Sequence, residues 1–229
     1  MSSDMPPAAQ APGEAAAKLQ ILATEHWSLL ATRSLTFTES FGRVNVFLAI
    51  LSGAVIALAL VAQADHFGPT FISVAILTLL VVLFAGVATI GRLMSLNRDD
   101  FRWVIGMNRL RRAYLDLHPE LEPNFITSPY DDVPGALQTL GINPAASGRL
   151  GSTLHVFQTL PGMLSVIVAA VAAGIGALVA SALALPAPGV VLAAAATFVV
   201  AVVLMGIWGR RSFTRSDPAL APRFPSPKR

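Results

Sequence analysis

Twenty-one consecutive residues, 71–91 (FISVAILTLLVVLFAGVATIG), carry no charged side chain. A helix of that length crosses the roughly 30 Å hydrocarbon core of a bilayer. The chain just beyond it constrains the fold further. Arg92, Arg98, Arg102, Arg109, Arg111 and Arg112 come next, yet Leu93, Leu96, Trp103, Met107, Leu110, Tyr114 and Leu117 keep a spacing of three or four, broken once by Asp100. Arg98, Arg102, Arg109 and Arg112 fall on the other side of that helix. No Gly-Pro pair or turn cluster separates the two halves, and Ser95-Leu96-Asn97 is the one place for a kink or restart. The pattern predicts one helix, or two nearly collinear ones, leaving the membrane and standing in the cytoplasm.

Three further stretches have the same character. Residues 44–64 form a first predicted span, and Asp65-His66-Phe67-Gly68-Pro69 turns it back into the span at 71–91. Residues 163–185 and 190–208 form a third and a fourth, joined by Pro186-Ala187-Pro188-Gly189, with Trp208 at belt level and Arg210-Arg211 anchoring the end. The predicted fold is therefore all-α, with four transmembrane helices as two hairpins. Cytoplasmic amphipathic helices extend the first hairpin. Upstream, a helix begins near Glu14, and Trp27, Leu30, Phe37, Phe41, Val44 and Leu48 continue at helical spacing, with Ser34 in the row.

The remaining segments divide by texture. Residues 1–13 are Pro- and Ala-rich without apolar periodicity, and read as a disordered tail that lacks the basic start of a signal peptide. Targeting then falls to the first span. Residues 14–117 hold the first hairpin and its extensions. Over 118–161 prolines recur too often for a long helix; a short one is expected at 132–140 and an interfacial one at 149–160. Residues 162–209 hold the second hairpin, and 210–229 read as a disordered basic tail.

Charge sets the orientation. Only 13% of the 229 residues are charged, against about 25% in soluble domains. Every Lys and Arg lies before the first span, between the second and third, or after the fourth; neither short turn contains one. By the positive-inside rule that face is the cytoplasm, so both termini are cytoplasmic in a multi-pass protein of the bacterial cytoplasmic membrane. Besides setting topology, the face bearing Arg98, Arg102, Arg109 and Arg112 suits contact with an anionic lipid or signal. Nucleic acid is the least favoured partner.

The chain has no cysteine, hence no disulfide or thiolate site. His118, Glu120, Glu122, Asp131, Asp132 and His155 are acid-base or metal-competent, but no HExxH or other metal-helix spacing accompanies them. Asp131-Asp132 reads as an ordinary helix start. No catalytic residue, cofactor or metal site is expected. Small residues recur along the third span, where Ser165, Gly174, Gly176 and Ser181 are candidates for helix packing or pore lining. Charge is absent from all four spans, so any pore uses hydroxyls, small residues and apolar constrictions. Trp27, Phe37, Trp103, Met107 and Tyr114 are the expected contacts between the two cytoplasmic helices.

Over ILATEHWSLLATRSLTFTESFGR, GMNRLRRAYLDLHPELEPNFITSPYDD and the subsequent Pro-Gly, the chain resembles a group of bacterial, mainly actinobacterial, integral membrane proteins. The resemblance covers most of residues 18–210 and implies no activity. The order cytoplasmic helix, hairpin, cytoplasmic helix over 14–117 is also similar to the SLATT class of conflict-system proteins, which are proposed to form membrane-disrupting pores. The second hairpin departs from that class's simplest two-span version. The resulting expectation is a non-enzymatic, coiled-coil-bearing homo-oligomer acting as a pore or channel-like effector. The alternative is a structural or regulatory scaffold that recruits a cytoplasmic partner.

Overall fold

The computed structural model describes residues 12–142, 159–213 and 220–227, and every described regular element is helical. In order these are α1 (Pro12–Asp65), α2 (Pro69–Leu117), a 3-10 turn (Pro119–Asn124), α3 (Val133–Thr139), α4 (Leu160–Ala182) and α5 (Ala187–Phe213). Four of them, α1, α2, α4 and α5, are long and apolar enough to cross a membrane. Four such helices suit a multi-pass membrane protein. Neither α1 nor α2 breaks where its apolar stretch meets its charged one, and Ser95-Leu96-Asn97 lies within continuous helix.

Local chemistry explains the boundaries. Pro12, Pro69, Pro119 and Pro161 sit in first turns, where the missing N–H has no helical partner to lose. Asp132 caps α3 by accepting the Gly135 N–H at 2.9 Å, and Thr159 caps α4 through the Gly162 N–H. Between α1 and α2 the left-handed conformation falls on His66 and Phe67, not on Gly68. Each such residue costs about 1–2 kcal/mol. Gly68 supplies room instead: a Cβ there would lie 2.9 Å from Asp65 Oδ2, the atom that accepts the Phe71 N–H. Between α4 and α5 the left-handed residue is Ala184.

The chain forms two compact units. One unit contains residues 36–99 and 144–216, and so holds the apolar portions of all four long helices. Its core is Val44 and Phe47 from α1, Val82, Ile90, Leu93, Met94 and Leu96 from α2, and Leu164, Val168 and Val171 from α4. At Gly86 α2 is hemmed in by both α1 and α4, since a Cβ would run into Val168 and stand 3.0 Å from the Phe47 ring. Trp208 of α5 lies over Gly91 of α2, so the side chain read as an interfacial belt residue also packs on the neighbouring helix.

The other unit contains residues 1–35, 100–143 and 217–229. Val104, Ile105 and Ala136 form its small apolar centre, joined by Phe101, Leu140 and Leu220. The expected helix at 132–140 is present as α3. Most of the expected interfacial helix at 149–160 lies outside the described residues, as does most of the tail at 1–13. The tail at 210–229 needs correction where it is described: 210–213 continue α5, and 220–227 are hydrogen-bonded into this unit.

Candidate functional site

The best-defined polar site lies in the second of these units, around Asp131. This side chain is fully buried. Its Oδ2 receives Arg109 Nε at 2.7 Å, and both carboxylate oxygens receive the Arg223 N–H, at 2.9 and 3.0 Å. The Phe224 N–H reaches Oδ1 at 2.7 Å, while the Asp131 N–H donates back to the Phe224 carbonyl. Asp132 extends the clasp, accepting the Ser226 N–H at 2.7 Å and the Ser226 hydroxyl at 2.8 Å. Arg109 also donates to the Ala221 carbonyl. A proline-rich segment without a periodic pattern is thus held by its main chain on two adjacent carboxylates.

Burial alone would raise the Asp131 carboxyl pKa. The Arg223 N–H, the Arg109 guanidinium and the Phe224 N–H outweigh that effect and leave it below the usual carboxylate range. At Asp132 burial is likewise outweighed, there by the Ser226 and Gly135 donors. Both groups are therefore held as anions, and Asp131 accepts four hydrogen bonds, two at each carboxylate oxygen. Among the described residues no group of three His, Cys, Asp or Glu side chains is placed to hold a metal ion.

A second layer supports the clasp. Asn108 is buried; its Nδ2 donates to the Tyr130 carbonyl at 2.7 Å, and its Oδ1 accepts from Arg111 Nη1 and Thr139 Oγ1. A Cβ at Gly135 would collide with that same Tyr130 carbonyl, so α3 and residue 130 are pressed together only because position 135 is glycine. Arg111 is itself only 7% exposed. Burial, and then the nearby Arg33 charge, lower its pKa. It also contributes to His26, which burial first and Arg111 second hold below the ordinary histidine value. The His26 and Tyr114 rings stand 6.1 Å apart.

Ion pairs define which face of α1 turns inward. In this unit Arg33 Nε meets Asp100 Oδ1 at 2.6 Å, with Nη2 3.3 Å from Oδ2, and Leu29 lies against Gly106. In the membrane-helix unit Glu39 receives Arg92 through two 2.9 Å contacts and Arg43 through one of 2.7 Å. The Arg92 and Arg43 hydrogen bonds pull the Glu39 pKa down to about 2. The Asp100 that seemed to interrupt the apolar row of α2 is the partner of Arg33, placed 67 residues earlier.

These contacts differ from the residues expected between the two cytoplasmic helices. Met107 is buried, and Trp103 and Tyr114 are half-buried. Trp27 is 71% exposed and so is not buried against α2 in this unit, while Phe37, in the membrane-helix unit, is 45% exposed. In this unit the inward face of α1 is instead mixed, running through His26, Leu29 and Arg33, and Trp27 and Leu30 are exposed. The physical reason is that charge-assisted bonds with matched partners hold the polar face, whereas apolar periodicity alone does not say what covers it.

The cationic candidates separate as well. Arg109 serves Asp131, and Arg112 pairs with Asp116 at 2.9 Å. Arg102 is exposed and Arg98 half-buried. Arg111, absent from the expected set, is the deeply buried one; its position four residues after Met107, beside the apolar row of α2, was the available signal.

In the third span, Ser165 is buried and donates to the Pro161 carbonyl at 2.7 Å. Gly176 is closed against Thr197, whose hydroxyl a Cβ would strike. Gly174 meets only Leu79, at ordinary contact distance, and Ser181 is exposed. The four candidates are therefore not one lining. Two are absorbed in packing, and two remain at the edge. No family model matches this chain, and no curated protein or solved structure does so.

Proposed function

We propose that the chain is a non-enzymatic protein of the bacterial cytoplasmic membrane, with two transmembrane hairpins and both termini cytoplasmic. In this reading it works as an oligomeric scaffold, its unit outside the spans serving as the body that partners engage. One observation carries this choice over a pore. The weakly polar residues best suited to line a pore, Ser165 and Gly176, are consumed by packing within one chain. A separate polar-cored unit is built with far more care, around Asp131, Arg109 and Asn108. The one-sided Lys and Arg distribution supports the orientation.

The channel-like effector is the second reading, and one observation favours it. The most apolar window of α5 has no residue buried inside the chain, and only a small part of that of α1 is buried, leaving faces for other subunits to close a path. Its lining would then include Ser181 and Gly174, not Ser165. Full-length protein in liposomes separates the two. The scaffold reading expects a multi-subunit mass without passage of potassium or small dyes under an applied potential. Flux that scales with protein content, and disappears with Ser181→Leu, would move the conclusion to the pore.

A further inference from the structure

Residues 14–35 of α1, within the unit outside the spans, have an unusual distribution of charge. At 100° per residue, Glu14, Lys18, Glu25 and Arg33 all fall within an arc of about 100°. The rest of the helix surface has no Asp, Glu, Lys or Arg. On the uncharged side Trp27, Leu30 and Leu35 are 71%, 40% and 70% exposed. A solvated helix normally presents its charges to water and its large apolar groups to a partner. Here the charged arc is taken up partly inside the chain by the Arg33–Asp100 pair, and the apolar side stands open.

We infer that this face pairs with the same face of a second copy, α1 beside α1 in parallel. The inference rests on the scaffold reading and names the contact that makes it an oligomer. Three observations choose that occupant. First, the three large side chains expose about 400 Å² per copy, below the roughly 800 Å² per partner of a standard interface formed from solution. Copies anchored through their own membrane helices have already lost much of their translational and rotational freedom, so a smaller area suffices for them. Second, a charge-free surface can be its own complement across a two-fold axis, because no like charges meet. Third, the row Gln20, Thr24, Trp27 and Ala31 has the four-three-four spacing of a helix seam, with small residues beside the tryptophan. The Thr24 hydroxyl already donates to the Gln20 carbonyl at 2.8 Å and requires no water when covered.

The lack of native cysteine allows a direct test in full-length protein reconstituted at high lipid dilution. Thr24→Cys and Ala31→Cys stand on the seam, while Glu25→Cys stands on the charged arc; all three positions are exposed, so none disturbs a core. Intermolecular disulfide formation should be at least fivefold faster at the seam positions, after normalising for reactivity toward a small maleimide. Equal rates in a preparation that still has a multi-subunit mass overturn this seam and leave the scaffold standing. A single-subunit mass removes both. Quenching of Trp27 by brominated lipid, measured with Trp103 and Trp208 replaced by Phe, would put the bilayer on this face and equally overturn the pairing.

Discussion

Replacing Asp131 with alanine removes the acceptor shared by the Arg109 guanidinium and the Arg223 and Phe224 amides. Deleting one member of a buried ion pair costs about 3–5 kcal/mol, because the other charge stays behind without its counterpart. Arg109 is 24% exposed and regains some hydration, and the two amides lie on an exposed segment and can turn to water. A net loss of about 2–3 kcal/mol is therefore expected, equivalent to roughly 30- to 150-fold in the local opening equilibrium. Hydrogen exchange read by mass spectrometry on full-length protein in nanodiscs should show that acceleration in peptides covering 220–227. Membrane-helix peptides should not change. An acceleration below about threefold would show that the carboxylate does not hold the segment, and would refute the reasoning.

The remaining predictions concern pH and the spans. Asp131 and Asp132 have depressed folded-state pKa values, so their stabilisation is complete above the ordinary carboxylate pKa and is lost as pH falls through the folded values. Protection of 220–227, corrected for intrinsic exchange, should be flat from pH 6 to 8 and fall only below about pH 4; a change near neutrality would contradict this. Glu39, held to about 2 by Arg92 and Arg43, behaves in the same sense, so Glu39→Gln should remove acid sensitivity from its surroundings as followed by the thermal midpoint between pH 5 and 2. Gly176→Leu should lower the thermal midpoint strongly, because its side chain enters the space of Thr197, whereas Gly174→Leu meets only Leu79 and should cost much less. Equal effects at the two glycines would mean that α4 and α5 pack differently.

Element boundaries were legible in the chain because their causes are local. Pro69 announces the start of α2, Asp132 announces α3, and four long uncharged stretches announce α1, α2, α4 and α5. The facing of α1 was not legible for the opposite reason. Arg33–Asp100 and Glu39–Arg92 are separated by 67 and 53 residues, and no periodicity within either helix records that match. The same holds for the clasp. Its docked segment contributes mainly backbone N–H groups at 223, 224 and 226, which every non-proline residue possesses, so the sequence carries only the acceptor side of the bond. Adjacent Asp131 and Asp132 were visible, but one of them suffices for a helix cap, and the second was the overlooked clue.

The most direct test of the account is the sidedness of its connections. Cysteines placed singly at Asp65 and Ala187, in the turn after α1 and the turn before α5, should react with an impermeant thiol reagent added to intact cells. A cysteine at the exposed Asp116 near the end of α2 should react only after the cells are opened. Four crossings with both termini cytoplasmic predict that pattern. Labelling of Asp116→Cys from outside, or of only one of the two turn positions, would contradict it.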